Sequence, residues 1–247
     1  MTFNSYRDDT LKGGRLSAML RATCPKLIGM KIDTCNFPDE LLYDVAEGVW
    51  GFPVSGVLRV GITSLLSWSW GTISAVSFKG AGTHLQRGDV AGSVEGPRHF
   101  DVVRTPVTGV VSKTNEALLG SPKLLNKDPY GAGWFMEVKF EDPSELSNLL
   151  RLADAKPLIL SRIHELHVRC FVEFPDLEMF EIGTECSAVL VKLNEAFNKS
   201  SSGTVVHVVS DDSTATVEME RWADLTGNRV LESMKEGDLY HIIAKKG

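Results

Sequence analysis

Cys186 stands where a predicted strand, EMFEIG (178–183), gives way to a predicted amphipathic helix, CSAVLVKLNEAF (186–197). A thiol in the first turn of a helix faces unpaired backbone N–H groups and the positive end of the helix dipole, and both favour the thiolate. This position therefore predicts a reactive cysteine. Glu185 opposes the prediction, because it puts a negative charge beside the sulfur. The alternative interpretation is a small, partly buried apolar residue at a helix start.

The other cysteines, Cys24, Cys35 and Cys170, have no close CxxC spacing with one another or with Cys186. We expect all four to be free thiols, and neither a disulfide framework nor a zinc site is predicted. His164 and His167 could share one face of a helix, but no third ligand stands near them, so no metal is expected. No glycine-rich nucleotide-binding motif is present.

A second candidate site is the polar tip within SVEGPRHFDVVRTPVTGVV (93–111), where two alternating apolar runs meet. The alternation predicts a β-hairpin, and Pro97 stiffens its turn. Glu95, Arg98 and His99 would surround the tip, where the arginine could dock an anionic group. The alternative is that these are solvated turn residues with no role.

Two different patterns position these candidates. From Val57 the chain consists of short β-patterned runs separated by Gly- and Pro-bearing turns, which indicates an all-β module. Asp142, Pro143 and Glu145 are typical of a helix start, so a helix is predicted from Pro143. Residues 1–36 are interpreted as an N-terminal extension with one or two short helices, 37–153 as the β-rich domain, and 154–174 as a linker containing some helix or strand.

The segment 175–247 alternates between the strand and helix periods in the order β-α-β-α-β-β, ending in a hairpin near Gly237. This order predicts a two-layer α+β sandwich. The chain is thus expected to hold two domains of different architecture.

The stretch NEALLGSPKLLNKDPYGAGW (115–134) resembles the NEAL…DPYGxGW region of glycine cleavage system H proteins, and FPDELLYDVAEGVW and DPSELSNLL extend the resemblance over roughly residues 37–150. H proteins are lipoyl carriers, built as a flattened barrel of two β-sheets that presents a lysine at a hairpin tip. The resemblance implies the same fold here.

Counting back without a gap from Pro106 and Gly109, the lipoylated lysine of that family falls at Arg98. Lipoylation needs a nucleophilic primary amine, whereas a guanidinium remains protonated up to a pKa above about 12. We therefore expect no lipoate. Lys79 and Lys113 lie in other runs and are not expected at the tip.

The C-terminal segment resembles the TusA/SirA family of sulfur carriers, in which a strand ending in DxxGxxCPxP leads into the first helix and the cysteine bears a persulfide. Gly183 and Cys186 have the family spacing, and VSDDSTATVEMERWADLTGNRVL resembles a later family region. Both motif prolines are absent, replaced by Ser187 and Val189. The resemblance implies a possible persulfide on Cys186.

Charge and hydropathy limit the classes of partner and the compartment that we expect for this protein. The net charge is -6, and from Cys170 onward 7 basic residues oppose 14 acidic ones, which leaves that third at -7. Such a surface disfavours nucleic acid and suits a basic protein partner; the alternative is a solvated acidic face that only aids solubility. No apolar run is long enough to span a membrane, and several charged residues lie among the first 30 positions, where a signal peptide would have its apolar stretch, so a cytoplasmic protein is expected.

Together these observations predict a non-enzymatic sulfur carrier or adaptor that works with protein partners of lipoate or sulfur-transfer pathways. Two alternatives remain open. One is a structural or regulatory module that binds lipoyl-handling proteins without chemistry, and the other is a glycine cleavage H protein with an unusual tip.

Overall fold

A computed structural model describes residues 29–97 and 99–247 of the 247-residue chain. The N-terminal strands are β1 (Gly29–Ile32), β2 (Cys35–Pro38), β3 (Leu42–Asp44), β4 (Val49–Val54), β5 (Val57–Ile62), β6 (Ala75–Phe78), β7 (His84–Leu85), β8 (Val90–Gly96), β9 (His99–Arg104), β10 (Gly109–Thr114), β11 (Met136–Phe140) and β12 (Leu150–Arg151). The helices between them are α1 (Ser64–Trp70), α2 (Ala117–Gly120), α3 (Leu124–Lys127) and, after β12, α4 (Leu152–Glu165).

Strands β3 to β12 form the predicted pair of β-sheets, and β1 and β2 form a separate hairpin. A seven-stranded sheet has the order β12-β3-β4-β5-β11-β10-β7, and a three-stranded sheet has the order β6-β8-β9. Alternation along β5 shows why they pack together: Leu58 and Val60 are buried, whereas Arg59 points to the outer face and binds Glu137 at 2.7 Å. The buried side chains join others from β8, β9 and β11 in one apolar core. The flattened barrel expected from the family resemblance is therefore confirmed.

A second core extends this domain beyond residues 37–153. The β1–β2 hairpin and α4 pack around Trp50 and Tyr43, and α4 contributes a buried stripe of Leu152, Ala155, Ile159 and Ile163. This 3-4-4 spacing is the helical period. Residues 154–165, which the sequence assigned to the linker, thus lie in a helix packed on the N-terminal domain. Residues 1–28, where short helices were expected, lie outside the described residues.

The helix predicted from Pro143 is a 3₁₀ helix of six residues, Pro143–Asn148. Its start is as predicted, because Asp142 Oδ1 accepts a hydrogen bond from the Ser144 N–H at 2.8 Å. The helix ends after two turns. Leu149 is extended, and Leu150 pairs with Tyr43 as part of β12, so this leucine serves the sheet.

The C-terminal domain follows the predicted β-α-β-α-β-β order. Its elements are β13 (Leu177–Glu181), α5 (Cys186–Asn198), β14 (Val205–Ser210), α6 (Ala215–Thr226), β15 (Arg229–Glu236) and β16 (Leu239–Lys245). The sheet order is β13-β14-β16-β15, with β13 parallel to β14 and the other pairs antiparallel. One face of this sheet packs against α5 and α6 in a core of its own.

Residues 166–174, here called the junction segment, connect the two domains and contact both. On the N-terminal side, Trp68 packs against Phe171 and Phe174 with ring centroids 5.8 and 4.5 Å away. On the C-terminal side, Phe171 lies 4.7 Å from the ring of His207, on the sheet face opposite the helices. Among the helices of the described residues, none is long and apolar enough to span a membrane.

Candidate functional site

Cys186 is the first residue of α5, as the sequence predicts, and its side chain turns inward. The residue is 4% exposed and packs in the C-terminal core, although its neighbours Glu185 and Ser187 are exposed. Gly183, with φ of 70°, occupies the left-handed region three residues before it and supports the turn from β13 into α5. The thiol therefore sits just beneath the surface, at a point where the backbone itself is near solvent.

The N-terminus of α5 is already capped by a carboxylate. Asp212 Oδ2 accepts a hydrogen bond from the Cys186 N–H at 2.9 Å, while Oδ1 accepts from the Thr214 N–H at 2.8 Å. These hydrogen bonds, those from Thr214 first, lower the pKa of Asp212. Asp211 Oδ1 similarly accepts from the Gly183 N–H at 2.9 Å. Two aspartates thus take up N–H groups that would otherwise be available to a sulfur anion.

The expected stabilisation of a Cys186 thiolate is wrong for this conformation. Burial raises the pKa of the Cys186 thiol, and the negative charges of Asp212 and Glu218 raise it further. The helix dipole favours an anion here, but the carboxylate of Asp212, which accepts a hydrogen bond from the Cys186 N–H, has the same negative charge as a thiolate and opposes it. Cys186 is therefore a protonated thiol near neutral pH.

The predicted β-hairpin of the second candidate site is formed by β8 and β9. Glu95 pairs with Phe100 and Gly96 pairs with His99, so the chain reverses between Gly96 and His99. Glu95 and Phe100 are both exposed, and Phe100 is 63% exposed. Arg98, the position corresponding to the lipoyl lysine, lies outside the described residues.

The His99 side chain packs against α1 and is only partly exposed to solvent. Its ring stacks on Trp70 with centroids 5.8 Å apart, and its Nε2 lies 3.3 Å from Asp101 Oδ2. Trp70 Nε1 donates a hydrogen bond to the same oxygen at 3.1 Å. The hairpin is thus fixed against α1 close to its turn. Cys186 and His99 belong to different domains and have different contacts, so the two candidate sites are separate.

The structure contains a disulfide that the sequence analysis did not predict. Cys35 and Cys170 are bonded, with Cα atoms 5.0 Å apart, although 135 residues separate them in sequence. The expectation of four free thiols was therefore wrong for this pair. Among the described residues Cys186 is the free cysteine, and Cys24 lies outside them. Only the packing of the β1–β2 hairpin against the junction segment brings the two sulfurs together, and sequence spacing carries no sign of it.

A pair of histidines was also missed. His207 Nε2 and His241 Nδ1 are 3.0 Å apart on adjacent strands, and Phe171 covers both rings. Burial, with a smaller effect of His241, lowers the pKa of His207 to about 4, and burial also lowers the pKa of His241. A histidine within the apolar run TVVHVVS was the available signal, because alternation placed it on the sheet face away from the helices.

Comparisons with known proteins agree with this two-domain arrangement. The family model for glycine cleavage H-protein matches residues 44–161, and the model for sulfurtransferase TusA matches residues 182–246. Glycine cleavage system H protein 5 of Aquifex aeolicus is 30% identical over 145 residues, which cover 57% of this chain and 98% of that protein. The H protein of Carboxydothermus hydrogenoformans is 36% identical over 122 residues, or 49% of this chain and 93% of that protein.

A solved structure of an H protein from Mycobacterium marinum is 26% identical, covers 49% of this chain and 98% of its own, and aligns with a TM-score of 0.44. The assignment depends instead on the sequence matches, which span nearly the whole length of the curated H proteins. The chain belongs to the glycine cleavage H-protein family, and its C-terminal domain is of the TusA type.

Proposed function

We propose that this protein is a non-enzymatic sulfur carrier and adaptor. The H-protein-like domain docks onto protein partners of lipoate or sulfur-transfer pathways, and Cys186 of the TusA-type domain carries a sulfane sulfur as a persulfide. The observation that carries the proposal is the position of Cys186, which is the first residue of α5 within the TusA-matched segment. We place this relay in the cytoplasm, the compartment expected from the sequence.

The substitution at position 98 supports a carrier without lipoate. The H-protein fold is complete, but Arg98 offers a guanidinium where acylation needs a primary amine. Lys113 does not replace it, because it lies on β10, in the other sheet from the β8–β9 hairpin, and its Nζ is 5.6 Å from the centroid of the Trp134 ring. Any cargo would then have to be carried by the C-terminal domain.

Loading of Cys186 is a simple sulfur transfer. The Cys186 thiolate attacks the outer sulfur of a donor persulfide, a new S–S bond forms at Cys186, and the donor leaves as a thiolate, so that no external oxidant is required. The thiol must first lose its proton and turn outward between the exposed residues Glu185 and Ser187. A partner that withdraws Asp212 from the Cys186 N–H would assist both steps, since it removes the nearest negative charge.

The covalent connection between the two domains brings a bound partner close to Cys186. A partner held by the H-protein-like domain meets Cys186 at an effective concentration on the order of millimolar, because the second encounter is intramolecular. The junction segment, packed on both domains, limits the range of that encounter. Sulfur transfer would therefore be selective for that partner even without a strong binding site around the Cys186 sulfur.

A second candidate function is a docking module without chemistry. The burial of Cys186 and the raised pKa of its thiol favour this candidate, because a protonated and covered thiol is a poor nucleophile. On this alternative the H-protein-like domain binds lipoyl-handling proteins and the C-terminal domain adds only an acidic surface.

Mass spectrometry of the protein purified from its own organism tests these functions. We expect a mass gain of one sulfur that disappears in Cys186→Ser and persists in the control Cys24→Ser, which removes a thiol outside the TusA-matched segment. A lipoyl mass would instead indicate an H protein of the glycine cleavage type. An unchanged mass, even after incubation with a sulfane-sulfur donor, would favour the docking module.

A further inference from the structure

A cavity of about 350 Å³ lies between the N-terminal domain and the junction segment. Trp68, Tyr130, Phe171 and Phe174 give it an aromatic lining, and Cys170 also lines it. Cys170 is 6% exposed, whereas its disulfide partner Cys35 is completely buried. Cys170, and not Cys35, is thus the half of the disulfide that borders the cavity.

Thr34 distinguishes the two sulfurs further. Its Oγ1 lies 3.8 Å from Cys35 Sγ and accepts a hydrogen bond from the Cys170 N–H at 3.1 Å. The hydroxyl hydrogen is thus available to Cys35. In thiol–disulfide exchange the leaving sulfur departs as a thiolate, and a hydrogen-bond donor stabilises that anion. Cys170 is placed for attack and Cys35 for departure.

We propose that Cys35–Cys170 is a thiol-exchange site for a small dithiol that enters this cavity. The first thiolate of the dithiol attacks Cys170 Sγ, the Cys35–Cys170 bond breaks, and Cys35 leaves as a thiolate. The second thiolate then attacks the dithiol's own sulfur in the mixed disulfide and releases Cys170. Two electrons pass to the protein, the dithiol becomes a cyclic disulfide, and the two protons it loses balance those gained by Cys35 and Cys170.

A dithiol suits this site better than a monothiol. Cys35 remains beside Cys170 after the first step, since the packed β1–β2 hairpin holds it there, and it would expel a monothiol by attacking back. A second thiol on the same ligand competes with that return because it too is intramolecular. This inference is independent of sulfur transfer at Cys186.

The exchange would also loosen the domain junction. Cys170 immediately precedes Phe171, which contacts Trp68 on one side and the His207–His241 pair on the other. Reduction leaves the junction segment attached to the N-terminal domain by packing and hydrogen bonds alone. We therefore expect faster amide hydrogen exchange over residues 168–174 in the reduced protein.

The test is reduction of the oxidised full-length protein by dithiothreitol without denaturant, followed by alkylation and peptide mass spectrometry. We expect a rate proportional to dithiothreitol concentration and independent of urea below the unfolding transition. Thr34→Val should slow it several-fold, and Thr34→Ser should restore it. Each cysteine is also tested alone, Cys170 in the variant Cys35→Ser and Cys35 in the variant Cys170→Ser. An aromatic disulfide reagent should modify Cys170 roughly ten times faster than Cys35, because Cys35 is completely buried.

Three results would overturn the proposal. One is a reduction rate that rises with urea as global unfolding does, since the disulfide would then react only in the unfolded chain. Another is equal modification of the two single variants. The last is a purified protein in which Cys35 and Cys170 stay reduced after treatment with diamide.

Discussion

The carboxylate of Asp212 and the backbone N–H of Cys186 form a 2.9 Å hydrogen bond across 26 positions of sequence. One side chain thereby caps α5 and places a negative charge beside the candidate sulfur. Asp212→Asn should keep a capping oxygen but remove the charge, so the pKa of Cys186 should fall and its alkylation at fixed pH should accelerate.

The measurement is the pH dependence of iodoacetamide labelling of the Cys186 peptide, read by mass spectrometry. Asp211→Asn is the matched control, because Asp211 accepts a hydrogen bond from the Gly183 N–H and does not contribute to the pKa shift of Cys186. Equal acceleration in both variants would mean that loosening of the loop, and not the charge of Asp212, controls the thiol.

The histidine pair at the junction predicts an acid-sensitive C-terminal domain. The pKa of His207 is lowered to about 4, so the unfolded chain binds its proton more readily than the folded one. The associated stability is complete above the unfolded pKa of about 6.5 and is lost as pH falls toward 4, by up to about 3 kcal/mol. Urea unfolding at a series of pH values measures this loss.

His207→Gln should flatten that pH dependence, leaving the smaller part due to His241, whose pKa is also lowered. His164→Gln removes an exposed imidazole and should leave the profile as it is in the natural protein. If the His207→Gln variant still loses the full amount of unfolding free energy below pH 6.5, the buried histidine pair is not the cause of the acid sensitivity.

Asn126 is predicted to be a main polar support of the N-terminal domain. It is 4% exposed, its Nδ2 donates to Gly71 O at 2.9 Å, and its Oδ1 accepts from the Ile73 N–H at 2.9 Å. Asn126→Ala leaves these buried groups unpaired, which should cost about 3 kcal/mol. The N-terminal transition in urea should shift accordingly, whereas the exposed Asn198→Ala should shift nothing; equal effects would contradict the assignment.

A lysine at position 98, where the family resemblance puts the lipoylated residue, should permit acylation. With Arg98→Lys we expect a lipoyl mass gain after incubation with lipoate, ATP and a lipoate–protein ligase, because a lysine amine can be deprotonated and a guanidinium cannot. Arg104→Lys is the control, since it places the same amine at the far end of β9. Failure of Arg98→Lys alone to gain the mass would show that more than the missing amine prevents lipoylation.

The sequence predicted those elements whose local pattern and tertiary role agree. All six C-terminal elements were predicted because their alternation or helical period matches the face they bury, and the same holds for several strands of the β-rich domain, such as β5. The strands before Val57 were not predicted. The segment after Pro143 misled because Glu145 binds the Thr108 side chain at 2.9 Å and Leu150 pairs with Tyr43, which are tertiary contacts. The helix α4 was missed as such, because its residues were assigned to a linker with some helix or strand, and Pro157 lies inside it.

The candidate sites show the same division. The location of Cys186 at a helix start is a local property and was predicted, whereas its protonation depends on Asp212 and on burial, both set by tertiary structure. The disulfide depends on two segments 135 residues apart, and no local pattern could reveal it.

The junction segment bears on where the protein can be divided. A fragment beginning at residue 175 would lack Phe171, so the His207 and His241 rings would meet water on a face of the sheet that no helix shields. It would also lose the ion pair between Glu173 and Lys245 at 2.7 Å. Residues that precede the family match thus cover part of the surface of the C-terminal domain. A fragment of this domain should therefore begin near residue 167, so that these contacts are kept.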